Sequence, residues 1–328
     1  MNKIFKIITI SLMVCSMSIA LIGCSPKSAQ KVVIYTNADE EAVASMEKTL
    51  DSSGYKGKYV LQTQGTSELG GKLMAEGNDI EANLVTMSSY FIDSAQKKNN
   101  MFENLNFETN TLEKYPTYYT PILANTGAIF VNTKVMKEKG LTIPSSIKDL
   151  TKDEYKGLVS IPNIMNSSTA WLLIQSIISE YGEKEGSEVL HKLIINCGPH
   201  IETSGSGPIK KVRVGEVAVG FGLRYQAVAD KAKGLDIGYI DPIEGNYSLT
   251  ESIAVVKKKD TATTKLAMEM AKVIVTKARA ALIKDYPVAL YKGETINSLN
   301  KPGNPKKFAQ PLTVELLKKH QEFFTVSK

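Results

Sequence analysis

The sequence has little cysteine, histidine or tryptophan: three, three and one in 328 residues. Cys15 and Cys24 lie in or at the end of an N-terminal apolar run, which leaves Cys197 alone in the body of the chain, so no intramolecular disulfide is expected. In INCGPH, Cys197 reads as a small packed apolar residue rather than a nucleophile. His191, His200 and His320 fall into neither an H-E-x-x-H nor a cysteine–histidine metal spacing. A nucleophile elbow is missing as well, because SGSGP lacks the flanks of G-x-S-x-G. A phosphate loop is approached and missed: GTSELGGK (65–72) has Gly71 where Lys is required, and Leu73 follows Lys72. No motif calls for a cofactor or a metal, and no catalytic residue is assigned. An excess of one charge is also absent. Forty Lys and Arg against 34 Asp and Glu give +6, too mild for a nucleic-acid footprint or a polybasic membrane patch.

What is present begins at the N-terminus. Lys3 and Lys6 precede IITISLMVCSMSIALIG, a positive segment followed by an apolar one, which reads as a secretory signal. It ends in LIGC (21–24), which resembles a bacterial lipobox. That resemblance implies a signal peptide over 1–23, lipid on the Cys24 thiol and a polar tether over 24–31. Loss of Lys3 and Lys6 takes the net charge from +6 to +4.

Beyond the tether, short β-branched strands alternate with amphipathic helices. KVVIYT (31–36), KYVLQTQ (58–64) and NLVTMSS (83–89) read as strands, with helices following Asn37 and Gly65. The alternation predicts a parallel sheet covered by helices, an α/β fold. GAIFVNT (127–133), LVSIPN (158–163), GEVAVGFGL, DIGYIDP (236–242) and SIAVVKK (252–258) continue it, and the last third is helical by period. Two α/β units with a helical tail describe the chain better than one continuous domain.

Hydroxyl-rich segments recur where strands give way to helices. Thr66 and Ser67 open one helix; Asn166, Ser167, Ser168 and Thr169 open another; Thr203, Ser204, Gly205 and Ser206 precede Pro208 at a third. One hydroxyl suffices to cap a helix; four in a row exceed that need. Free N–H groups at a helix start favour an anion, and ligands of open α/β sheets bind beyond the strand carboxyl ends. Thr36, Asn37 and Ser88 stand at such ends. In GFGLRYQ (220–226), Arg224 adds a planar donor fork suited to an oxyanion, with Tyr225 beside it.

In this order — lipobox, IYTNADEE, GTSELGGKL, NTGAIFVNTKVM, YKGLVSIPNIMNSSTAW, ETSGSGPIKKVRVGEVAVGFG, Glu244-Gly245, ESIAVVKK — the segments resemble the extracellular solute-binding proteins of ABC importers. The likeness is to the iron, thiamine and phosphonate branch of the type II periplasmic-binding fold. It implies two α/β lobes, 32–125 plus 250–328 and 126–249, joined by a two-strand hinge and closing on a ligand in the cleft. The implied protein is an extracytoplasmic, lipid-anchored monomer with ABC permease and ATPase partners and no nucleic acid. Ferric-iron members carry adjacent tyrosines after the strand matching GEVAVGFG; here Tyr225 is followed by Gln226, a poor ferric ligand. Tyr118 and Tyr119 keep phenolates available, so iron stands as the alternative. GFGLRYQAVADKAKG with EGNYSLTES is most similar to members assigned to 2-aminoethylphosphonate uptake. The expected ligand is a small phosphonate or related oxyanion, with Asp241, Glu244 or Glu251 holding its ammonium. A lipid-anchored hydrolase and an adhesin are the competing classes.

Overall fold

The computed structural model describes residues 31–328. The signal peptide, Cys24 and the tether up to residue 30 lie outside the described residues. Among those described, no helix is long and apolar enough to cross a membrane.

The first segment is β1 (Val32–Thr36), α1 (Glu40–Leu50), β2 (Tyr59–Thr63), α2 (Thr66–Glu76), β3 (Leu84–Ser88) and α3 (Ser89–Asn99). β1 pairs in parallel with β2, Val32 opposite Tyr59, and with β3, Ile34 opposite Leu84. All five β3 residues are buried. The strand is covered on both faces, so it shows no alternation of buried and exposed residues.

β4 (Thr120–Asn132) is much longer than the strand expected at 127–133. Pro121 hides its start. A proline donates no ladder hydrogen bond and is tolerated at an irregularity, and the register does shift between Pro121 and Leu123. The two halves of β4 serve different neighbours. Thr120–Thr126 pair antiparallel with β9 (Ser248–Val255), which in turn pairs with β3. Gly127–Val131 pair with β7 (Val219–Leu223), and Ile129–Asn132 with β8 (Ile237–Ile240). The strand order is β2-β1-β3-β9-β4-β7-β5-β6, with β5 at Val159–Pro162 and β6 at Ile201–Glu202.

Helices leave the carboxyl ends of the second set as they do the first. α4 (Thr133–Lys139) follows β4, α5 (Thr169–Cys197) follows β5, α6 (Gly207–Arg213) follows β6 and α7 (Arg224–Ala232) follows β7. α5 continues through Gly182, which bends the helix at φ 69°, a left-handed value open to glycine. The long C-terminal helical pattern is α8 (Thr261–Val273) and α9 (Arg279–Asp285), joined by a widened turn over Ile274–Ala278.

α10 (Val314–Val326) packs against α5 and also touches α3, although the sequence grouped 250–328 with residues 32–125. Its anchor is buried: Trp171 on α5 donates from Nε1 to His320 Nδ1 at 2.6 Å, and the indole meets Tyr90 on α3 edge-to-face at 4.9 Å. Burial drives the His320 pKa down to about 4, so the ring is neutral and able to accept. Cys197 is buried and unpaired, its thiol pKa raised by that burial.

Candidate functional site

Strand ends and helix starts enclose a cavity of about 540 Å³, within the usual range for small-ligand clefts. Three of the expected hydroxyl segments line it. Thr66 opens α2 after Gly65, whose extended backbone provides no side chain to cap the helix. Thr66 spends its hydroxyl on Asn37 at 3.0 Å. Asn166, Ser167, Ser168 and Thr169 line the cavity at the start of α5, and the last three are buried. Ser167 Oγ accepts from the Thr169 N–H at 3.3 Å, but the N-cap residue Ser168 makes no side-chain cap. Thr203, Ser204, Gly205 and Ser206 line it before α6, which also has no side-chain cap. The three starts differ in what they leave open. In α5 the Thr169, Ala170 and Trp171 N–H groups already donate to Ser167 Oγ and to the Ser167 and Ser168 carbonyls. In α6 Gly207 donates to the Ser204 carbonyl and Pro208 has no N–H. The start of α2 and the hydroxyls are therefore the donors suited to negative charge.

Gly205 is sterically required there. A Cβ on it would stand 2.1 Å from Thr169 Oγ1 and 3.3 Å from Ser167 Oγ, so the 203–206 loop seats directly on the start of α5.

The lining also carries four carboxylates, Asp39, Glu40, Glu68 and Glu251. Asp39 caps α1 through the Ala42 N–H and accepts from the hydroxyls of Tyr225, at 2.6 Å, and Tyr286. Burial raises the Asp39 pKa, against the opposing pull of those two phenols. Glu251 projects from β9 and accepts from Ser88 Oγ at 2.8 Å and, with the Asn37 amide nitrogen turned toward it, from Asn37 at 3.0 Å. Burial raises the Glu251 carboxyl to about 7, with Asp39 adding to the rise. Gln64 Oε1 and Asn125 Oδ1 are buried and have no hydrogen-bond partner. Lys210 is the one lining cation; it is exposed and lies 3.3 Å from Glu40.

Several expected site residues do not reach the cavity. Arg224 is the main correction. It is 4% exposed and forks onto Asp241, Nε to Oδ1 at 2.7 Å and Nη2 to Oδ2 at 3.0 Å. Its Nη1 donates to the Asn300 carbonyl at 2.9 Å and its guanidinium lies over the Tyr239 ring, which leaves no face for a ligand. Asp241 is consumed by the same pair and by the Gly303 N–H. Glu244 is fully buried elsewhere, accepting from the Ile147 and Lys148 N–H groups and from Tyr181. Of the three candidate acids only Glu251 lines the cavity.

Tyr225 stands behind Asp39, and Ser88 behind Glu251. Thr36 is buried, bonded to the Ala38 N–H and the Thr86 hydroxyl. Ser67 lies in the first turn of α2 outside the lining. Tyr118 and Tyr119 both donate to Asp93, away from the cavity. Asp39, Gln64, Asn125, Tyr286 and Lys210 were not anticipated.

Comparison with known proteins gives the chain's relatives. The family model for bacterial extracellular solute-binding proteins matches residues 79–305. An uncharacterized protein of Haemophilus influenzae is 27% identical over 128 residues, 39% of this chain; the match spans 37% of that relative's length. The periplasmic binding protein AfuA from Actinobacillus pleuropneumoniae, with exogenous fructose-6-phosphate bound, superposes at TM-score 0.68 and 19% identity over 90% of this chain and 94% of its own. Iron-bound HitA from Pseudomonas aeruginosa superposes at 0.67 and 18% over 91% and 98%. At these identities the likeness is one of fold, the type II periplasmic-binding fold.

Proposed function

Because the chain belongs to the bacterial extracellular solute-binding proteins, we propose that it is the extracytoplasmic receptor of an ABC importer, capturing a small phosphonate in the cleft. 2-Aminoethylphosphonate is the favoured ligand. The receptor would be held at the membrane by lipid on Cys24 and would deliver its cargo to a permease.

The carrying observation is the convergence of three hydroxyl-rich segments, at the starts of α2, α5 and α6, on one cavity. Each helix end stabilises an anion by about 0.3–1 kcal/mol when exposed and up to about 2 kcal/mol when partly buried. The open start of α2 and the hydroxyls of Ser167, Ser168, Thr169, Ser204 and Ser206 offer donors to a tetrahedral oxyanion, while Thr66 holds Asn37. Arg224 is not needed for this.

Capture requires the cleft to close. We assign the closing motion to β4 and β9, where β4 changes neighbours. Thr126 Oγ1 and Ser248 Oγ lie 2.7 Å apart, and the Gly127 N–H donates to the Tyr247 carbonyl at 3.0 Å. Type II receptors close by hinges of a few such residues.

One observation favours ferric iron as a second possibility. The hydroxyls of Tyr225 and Tyr286 lie 3.1 Å apart and both donate to Asp39. Burial, and then the Asp39 charge, raises both phenols, so a metal would have to displace two tightly held protons.

A thermal-shift screen of the full chain in mild detergent separates the two. A ligand at about 100 times its Kd adds about 2.7 kcal/mol, a rise of about 5 °C for a chain of this size. 2-Aminoethylphosphonate is expected to give that rise. No rise with any phosphonate, together with a coloured ferric complex, would replace the oxyanion assignment with iron.

A further inference from the structure

We infer that the cleft holds a dedicated ammonium subsite, built from the Glu251 carboxylate with the side-chain carbonyls of Gln64 and Asn125, and that its ligand is a zwitterion. The inference rests on the oxyanion-binding cleft proposed above and names the second half of the molecule that cleft selects.

Glu251 lies on β9 opposite Ser88 of β3 and Leu123 of β4, at 4% exposure, the one charged residue of the strand. Its hydrogen-bond donors are neutral, Ser88 and Asn37. Among the described residues, no Lys, Arg or His nitrogen lies within 4.0 Å of Glu251 or of Asp39. A carboxylate this deep is ordinarily paired with a cation, because burial without one disfavours the charged form.

Gln64 Oε1 and Asn125 Oδ1 show the same deficit independently. Both oxygens are buried, both residues line the same cavity as Glu251, and neither oxygen meets a donor. Buried carbonyls are normally satisfied, so a pair left open at one cavity points to donors arriving with a ligand. An alkylammonium has three N–H donors, a positive charge and no acceptor, which matches one carboxylate and two carbonyls. Asp39, in the same cavity, adds a second negative charge to the local field. A ferric ion suits this corner poorly, because two of its three open acceptors are neutral amides.

The cavity is therefore divided. Helix starts and hydroxyls take the oxyanion, and the Glu251 corner takes the amine.

The test compares 2-aminoethylphosphonate with ethylphosphonate, which differs only in the amine. Both are titrated calorimetrically into the full chain in mild detergent, with the lone Trp171 as a fluorescence check. We expect ethylphosphonate to bind about 100-fold more weakly. Glu251→Gln should cut that preference by about tenfold or more, the scale of losing a charged hydrogen-bond partner. Gln64→Met, which leaves the buried strands untouched, should cut it by about threefold or more, and it carries the test if Glu251→Gln does not fold. Equal affinity for the two ligands overturns the ammonium subsite and leaves the oxyanion cleft standing. Failure of both ligands to bind the wild type overturns the oxyanion cleft, and the subsite falls with it. A preference left unchanged by these variants also overturns the subsite.

Discussion

Replacing Arg224 is expected to damage stability rather than binding, a consequence of where its guanidinium goes. Arg224→Met removes both arms of a buried fork on Asp241, the donor to the Asn300 carbonyl and a stacking partner of Tyr239. Breaking a buried ion pair by deleting one partner typically costs about 3–5 kcal/mol, because the other charge stays behind undischarged. Asp241 then keeps only neutral partners, the Gly303 N–H and the Asn246 side chain. Burial by itself pushes the Asp241 carboxyl up, but the hydrogen bonds from Arg224 and Gly303 outweigh it and hold the pKa below 3.8. The sign follows. A depressed carboxyl contributes stability that is present above its unfolded pKa and lost as pH falls through the folded one, so the pair's contribution is in force at neutral pH. Urea titration at pH 7 should show the loss of about 3–5 kcal/mol. The double variant Arg224→Met with Asp241→Leu should recover much of it, since no orphan charge then remains. Affinity for 2-aminoethylphosphonate, measured on the folded fraction, should fall less than about threefold. A tenfold affinity loss with unchanged urea stability would refute the placement of Arg224 outside the site.

Gly205→Ala is expected to weaken ligand binding by about tenfold, because its Cβ would collide with Thr169 and lift the loop off α5; calorimetry checks this. Glu251 is protonated up to about pH 7 in the free protein through burial and the neighbouring Asp39, and Tyr90 is the other titratable group beside it. A raised carboxyl binds more protons folded than unfolded, so it favours the folded state at low pH and its ionisation lowers stability as pH rises from 4.5 through about 7. Amine binding needs the ionised form, so below about pH 7 it should release close to one proton, seen as a buffer-dependent heat of binding. His320→Leu leaves the Trp171 N–H without an acceptor and should cost about 1–3 kcal/mol in urea, with a shift in Trp171 emission. In the wild type, His320's depressed pKa means its contribution is whole above 6.5 and declines as pH falls toward and past about 4, which an acid titration of Trp171 emission follows.

The sequence made the hydroxyl-rich lining of the cavity legible because its signal is local. Runs such as Asn166–Thr169 and Thr203–Ser206 carry more hydroxyls than a cap needs, and the strand before each and the helix after each fix where they must sit. Arg224 was misread for the opposite reason. A guanidinium beside glycines looks the same in sequence whether it faces a cleft or a partner, and its partners, Asp241 and Asn300, lie 17 and 76 residues away. Glu244 failed similarly, since its N–H donors come from residues 147 and 148, across the fold. Glu251 did leave a trace, a carboxylate opening an apolar strand, but Asn37 and Ser88 are brought to it only by the pairing of β3 with β9. Gln64 and Asn125 left none, because an orphaned carbonyl is defined by neighbours that are missing. The first half of β4 was concealed by Pro121, and the packing of α10 on α5 depends on a Trp171–His320 contact spanning 149 residues.

A crystal structure of the chain with 2-aminoethylphosphonate tests the central claim most directly. The phosphonate oxygens are expected on the N–H groups at the start of α2 and on the hydroxyls at the starts of α5 and α6, the ammonium on Glu251, Gln64 and Asn125, and Arg224 still locked to Asp241. A phosphonate on Arg224, or a metal between Tyr225 and Tyr286 with no phosphonate in the cleft, would contradict it.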